Sequence, residues 1–158
     1  MNSPNNRGSK QTASGRLPKF GESIFEEISA EKIKLVFVGD RSVGKTSLIV
    51  TFSTKQFPES NPPTVLEAYT GQTKHRDKDV DLNIFDTAGH EDFQRVRPIS
   101  YNKADVIAIC FSLVDKDSLT NACTKWYREV RSLGPKCPMI LVGTKLDLKE
   151  KIMKTGNA

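Results

Sequence analysis

No run of about 18 apolar residues occurs anywhere in the chain, so no segment has the length and apolarity of a membrane-crossing helix. Histidine is scarce, at two, and the three cysteines (Cys110, Cys123, Cys137) share no metal-ligand spacing. A structural zinc site is therefore not expected, and the cysteines read as reduced residues, mostly core, of an intracellular protein. The N-terminus has no signal-peptide core and no glycine at position 2 for acylation. The chain closes on Lys154-Thr155-Gly156-Asn157-Ala158, without a prenylation box. The first twenty residues contain no acid, only Arg7, Lys10, Arg16 and Lys19, so much of the net charge of +5 sits in one tail. Such a tail reads as a solvated arm, with no nucleic-acid partner expected.

What is present is one stretch of high information. Gly39-Asp40-Arg41-Ser42-Val43-Gly44-Lys45-Thr46 follows the apolar run Ile33-Lys34-Leu35-Val36-Phe37-Val38 and precedes Leu48, Ile49 and Phe52 at helical spacing. The pattern G-x-x-x-x-G-K-[ST] between a strand and a helix is a phosphate-binding loop. Glycines at 39 and 44 allow successive backbone N–H groups to converge on phosphate oxygens, and the following helix adds its positive end. Lys45 would reach the terminal phosphates, and the Thr46 hydroxyl would occupy one position around Mg²⁺.

The 158 residues suit one domain with a substantial core. Residues 1–20 are expected to be disordered; residues 22–31, with Ile24, Phe25 and Ile28 among glutamates, read as a short helix or a spacer. The expected elements are a strand over 32–38, a helix over 44–54 and a loop over 55–66 carrying Pro58, Pro62 and Pro63. Strands over 67–76 and 80–85 follow, joined by a turn at Asp77-Lys78-Asp79, then a short helical stretch over 92–101. Residues 106–111 read as a strand covered on both faces, and 139–142 as a last buried strand. Between them Leu119, Cys123, Trp126, Val130 and Leu133 form a core-facing helical stripe. The fold class is α/β, an open and mostly parallel sheet with ligands at the carboxyl ends of its strands.

Three further motifs fall in order behind the loop. Thr64 lies in the proline-bearing segment, where it would reach the same Mg²⁺. Asp86 ends a strand with Gly89 three residues on, as suits a carboxylate holding the metal through water. Thr144-Lys145-Leu146-Asp147 follows the last strand, where a carboxylate accepts both N–H groups of guanine and adenine offers no match. Together these stretches resemble the small GTPases, specifically the Rho family (Rac-like and Rho-like). Phe57-Pro58-Glu59, Pro63-Thr64-Val65, Glu91-Asp92-Phe93, Arg97-Pro98, Trp126-Tyr127 and Glu129-Val130 add to the likeness, which runs from about residue 32 to 148.

The resemblance implies a P-loop G domain over 32–158 behind a basic extension over 1–31, binding GTP/GDP with Mg²⁺. It assigns nucleotide contacts to residues 39–47 (Gly39, Asp40, Arg41, Ser42, Val43, Gly44, Lys45, Thr46, Ser47), to Phe57 packed on the guanine, and to Thr64, Asp86, Ala88 and Gly89. Thr144, Lys145 and Asp147 complete that set. Thr46, Thr64 and, through water, Asp86 would hold Mg²⁺. Effectors and exchange factors would read switch segments 56–67 and 89–98, with activating proteins a further partner class. A cytoplasmic signalling role toward actin is implied, with peripheral membrane contact only through a lipid anchor on a longer form.

The chain departs from that family at informative places. Arg41 stands where the phosphate loop usually has glycine, projecting toward the γ-phosphate and the space an activator's arginine would enter. His90 replaces the water-orienting glutamine; its shorter ring is expected to serve, if at all, as an inefficient base. Lys45, His90 and Arg41 are thus the candidate catalytic residues of a protein expected to hydrolyse GTP weakly. Asn61 replaces the switch tyrosine. The family's last strand and helices are missing, which would leave the 139–142 strand as an uncovered apolar edge. A permanently GTP-loaded scaffold, an inert truncated product and an ATP-using P-loop enzyme are the competing readings.

Overall fold

Val36 and Val38 point to one face of the first strand and Phe37 to the other, and all three are buried, as a strand covered on both sides requires. The computed structural model describes residues 31–60 and 63–156. The basic extension expected over 1–31 therefore lies, save for Glu31, outside the described residues, as does Asn61. The strands are β1 (Glu31–Gly39), β2 (Leu66–His75), β3 (Lys78–Thr87), β4 (Val106–Ser112) and β5 (Met139–Thr144). The helices are α1 (Lys45–Thr54), α2 (Arg97–Tyr101), α3 (Lys116–Asn121), α4 (Tyr127–Leu133) and α5 (Leu146–Thr155).

The five strands form one sheet in the order β2-β3-β1-β4-β5. β1 pairs in parallel with β3 (Leu35 opposite Ile84) and with β4 (Leu35 opposite Val106), and β4 pairs in parallel with β5. Only β2 runs antiparallel, against β3. The expected α/β fold is thus the one observed. Because the chain lays β2 and β3 on one side of β1 and then β4 and β5 on the other, the loop after β1 lies at a topological switch point, where open α/β sheets bind ligands.

Two apolar layers sandwich the sheet. Val36, Val38, Ile107 and Ile109 pack with Trp126 and Val130; Phe37, Ile84, Ala108 and Cys110 pack with Val43 and Ile49. Burying Trp126 and Ile49 alone contributes several kcal/mol, at about 25 cal/mol per Å² of apolar surface.

Several local expectations are corrected. The β2–β3 turn is the two-residue Arg76-Asp77 pair, both at positive φ, as a tight hairpin demands. The stretch over 92–101 divides into a 3₁₀ turn, Glu91–Phe93, and the separate α2. The helical stripe holds at Trp126 and Val130 but not before them, because the helix changes register: a π turn, Ala122–Trp126, separates α3 from α4. The extra residue rotates the two halves relative to each other. Leu119 and Leu133 are exposed (40% and 54%), while Ser118, Ala122 and Glu129 are buried with Trp126 and Val130. Of the cysteines, Cys110 alone is buried; Cys123 is exposed and Cys137 half-buried. β5 is not a buried strand, since Ile140 and Leu141 stay exposed along a free edge. α5, which no pattern announced, follows directly and buries none of its residues.

Candidate functional site

The end of β1 is shaped by close approach. Gly39 has φ +146°, and a Cβ there would collide with the Cys110 carbonyl of β4. Ser42 and Gly44 take left-handed φ of 61° and 101°, curling residues 39–45 around a concavity at the start of α1. Such a curl turns backbone N–H groups inward and makes an anion cradle. α1 has no side-chain N-cap, and the positive end of a helix suits an anion in that concavity. Thr144, at the end of β5, closes the loop from outside by donating its hydroxyl to the Val43 and Phe111 carbonyls.

A cleft of about 600 Å³ opens there. It is lined by Arg41, Ser42, Gly44, Lys45, Thr46 and Ser47 from the loop, by Pro63 and Thr64, by residues 87–90, and by Asp92, Phe93 and Lys145. Lys45 is buried, and its ammonium donates to the Gly39 and Asp40 carbonyls at 2.9 Å each. Burial pushes its pKa down, opposed chiefly by the charge of Asp86.

Beneath the cleft three side chains from three segments converge. Asp86 Oδ2 accepts from Thr46 Oγ1 at 2.5 Å and from Thr64 Oγ1 at 3.3 Å, and the two hydroxyls lie 2.9 Å apart. Asp86 is fully buried, yet its Oδ1 has no hydrogen-bond partner. Burial raises the Asp86 pKa, with the Thr46 hydrogen bond and the Lys45 charge opposing it. A buried carboxylate oxygen without a donor costs about 1–3 kcal/mol or more, and a hard cation on the Thr46–Thr64–Asp86 oxygens would relieve it. The donor set is all oxygen, which suits Mg²⁺ over softer metals. These residues fit the metal implied by the sequence.

The 88–90 turn is pressed against the loop. A Cβ on Gly89 would lie within 2.6 Å of the Gly39 carbonyl oxygen. His90 lines the cleft, but its ring is engaged locally. Nδ1 accepts the Asp92 N–H at 3.3 Å, capping the 3₁₀ turn, and lies 3.1 Å from Asp92 Oδ2. With Nδ1 accepting the Asp92 N–H, the neutral ring carries its hydrogen on Nε2; in the other tautomer it donates Nδ1–H to Asp92 Oδ2 and presents the Nε2 lone pair. In both, Asp92 occupies Nδ1, so the ring caps the 3₁₀ turn and has only Nε2 left to offer as donor or acceptor.

Other expected contacts lie elsewhere. Phe57 is 76% exposed and does not line the cleft. Asp147 is exposed in the first turn of α5, behind Lys145, whose φ of 59° starts that helix. Val43 is buried in the core. The Asp40 carboxylate turns away from the cleft, accepting from Asn121 Nδ2 and Trp126 Nε1 at 2.7 Å each.

Motif reading missed the group behind the cleft. Arg97 donates to the Ala88 carbonyl at 3.0 Å and the His90 carbonyl at 2.9 Å, and its Nη1 lies 2.7–2.8 Å from both Glu129 oxygens. The one available signal was Trp126, since a buried indole N–H needs an acceptor and so points at a polar partner.

Compared with known families, residues 34–158 match the model described as the Ras family.

Proposed function

The chain belongs to the Ras family, whose members are guanine-nucleotide-binding small GTPases that act with Mg²⁺, and on that premise we propose a Rho-like member that switches by loading GTP and hydrolyses it slowly. Small GTPases meet effectors, exchange factors and activating proteins, and segments 56–67 and 89–98 are the surfaces proposed for them here. The Rho-like reading draws its support from Phe57-Pro58-Glu59, Pro63-Thr64-Val65 and the Trp126-Tyr127 and Glu129-Val130 pairs. A cytoplasmic role in actin signalling is part of the same proposal.

The observation that carries the nucleotide site is the orphaned Asp86 Oδ1 beside Thr46 and Thr64, under a buried lysine. In this reading Lys45 and the N–H groups of residues 42–46 bind the β- and γ-phosphates. Thr46 and Thr64 hold Mg²⁺, with Asp86 supporting it through water. The metal supplies charge neutralisation across the phosphates. Asp147 pairs with the guanine edge and Lys145 lies along the base. Hydrolysis transfers the γ-phosphoryl group to water, giving GDP and phosphate. The attacking water needs both orientation and a site for its proton. His90, with Nδ1 engaged by Asp92, offers only Nε2, as donor or acceptor but not both, and Arg41 occupies space in the cleft; both support slow turnover.

Nucleotide extracted from the purified full chain tests the reading. Guanine nucleotide at near one per protein, released by chelating Mg²⁺, is expected; folded protein that retains none overturns it. The capped His90 also favours a second reading, a scaffold permanently loaded with GTP. GTP undiminished over a day at 25 °C would select the scaffold, and steady conversion to GDP the switch.

A further inference from the structure

The two loops that face the phosphate cleft are held from behind by one helix, and the joint between them is Trp126. The ring is fully buried. Its edge donates Nε1–H to Asp40 in the phosphate loop, and its face carries the Arg97 guanidinium 4.5 Å away. That same guanidinium holds the Ala88 and His90 carbonyls of the opposing turn. Asn121 supplies the second donor to Asp40. Asn121 and Trp126 are five residues apart, which on a regular α-helix would set them about 140° apart around the axis. The π turn between them brings both side chains to one carboxylate, and π turns concentrate at functional positions.

The arrangement has an electrostatic purpose. Asp40 belongs to a loop whose task is to surround phosphate, so a carboxylate free to swing into the cleft would set like charge against like. Two charge-assisted hydrogen bonds of 2.7 Å keep it turned the other way. We propose that Trp126 is a positioning residue for nucleotide retention: it holds the Asp40 carboxylate out of the phosphate site and, through Arg97, fixes the spacing between residues 39–46 and 88–90. This rests on the nucleotide-binding reading above.

Release of a fluorescent GDP analogue from the full chain in Mg²⁺ buffer tests it. Trp126→Phe keeps an aromatic face for Arg97 and removes only the indole N–H. Release is expected to quicken at least about fivefold, the loss of one hydrogen bond to a charged acceptor. In the Trp126→Phe background, adding Asp40→Asn removes the loosened charge and should slow release again. A tryptophan that merely fills the core predicts no such rescue. Equal release from parent and Trp126→Phe, or a double variant no slower than the single, overturns the proposal. Should Trp126→Phe not fold, the parent decides. Trp126 is its only tryptophan, and its emission is expected to shift when GDP is exchanged for a non-hydrolysable GTP analogue. Unchanged emission on that exchange overturns the proposal as well. A parent that retains no guanine nucleotide sinks the earlier reading instead, so the two failures are told apart.

Discussion

Arg97 and Glu129 form a buried ion pair, 2.7 Å between Nη1 and Oε2, with side chains 1% and 6% exposed. Tyr101 adds its hydroxyl to the other carboxylate oxygen at 2.5 Å. The pair joins α4 to α2 and, through the Arg97 bonds to the Ala88 and His90 carbonyls, to the turn that lines the cleft, so a contact in the core sets the shape of a loop at the surface.

Removing one member leaves a buried charge without its counterpart. Glu129→Ala is expected to cost about 3–5 kcal/mol in urea unfolding. Lys74–Asp79, at 3.6 Å between largely exposed side chains, is a fair control: Asp79→Ala should cost under about 1 kcal/mol. Similar losses from both would show that Arg97–Glu129 is not the structural joint described.

Asp86 makes metal dependence separable from folding. Burial raises its pKa, so the folded, metal-free protein binds that proton more tightly than the unfolded chain does. Its contribution to stability therefore declines as pH rises above the ordinary carboxylate value of about 4. Relative to the parent, metal-free Asp86→Asn should gain stability from about pH 4 toward neutrality, read from thermal midpoints. The same variant should release nucleotide at a rate less dependent on added Mg²⁺ than the parent's. A parent–variant difference that is flat with pH would count against the assignment.

Turnover is where the departures from the family pattern are measured. Intrinsic hydrolysis in this class is about 10⁻⁴ s⁻¹, and activators supply up to about 10⁵-fold, or about 7 kcal/mol. Arg41→Gly combined with His90→Gln clears the cleft mouth and restores an amide with both a donor and an acceptor. Activator-stimulated single turnover should rise at least tenfold, a floor below the roughly 10²–10⁴-fold that one positioned group supplies. A double variant no faster than the parent would place the block elsewhere.

Thiol chemistry reports the helix register directly. Cys123 is exposed, whereas burial pushes the Cys110 thiol up to about 12. At pH 8 a soluble disulfide reagent should label Cys123 in the folded protein and reach Cys110 only after denaturation. Rapid labelling of Cys110 in the folded protein would contradict its place in the core.

The sheet and the cleft were legible because local pattern and tertiary role agree there. The run over 33–38 is apolar on both faces, and the glycines at 39 and 44 occupy the positive φ that no side chain tolerates cheaply. Thr64 and Asp86 were readable as partners of Thr46 through the order of their motifs, across 18 and 40 residues of chain. What escaped is what sequence spacing does not encode. A stripe counted at regular helical period cannot anticipate a π turn, so it places Leu119 and Cys123 inward and gives Glu129 no buried role. Nor does the P-loop motif say where the Asp40 side chain points; an indole 86 residues away decides that.

The helix behind the cleft counts one residue more than a regular helix would use to cover the same stretch. Deleting any one of residues 122–125 would restore ordinary winding and leave Asn121 and Trp126 four residues apart, about 40° around the axis and still on one face. Ser118, whose Oγ receives the Ser112 N–H at 2.9 Å, would keep its side of the helix with them. Straightening the helix at full length is the damaging change, since it would set Asn121 and Trp126 about 140° apart and leave the phosphate loop held by one of its two donors.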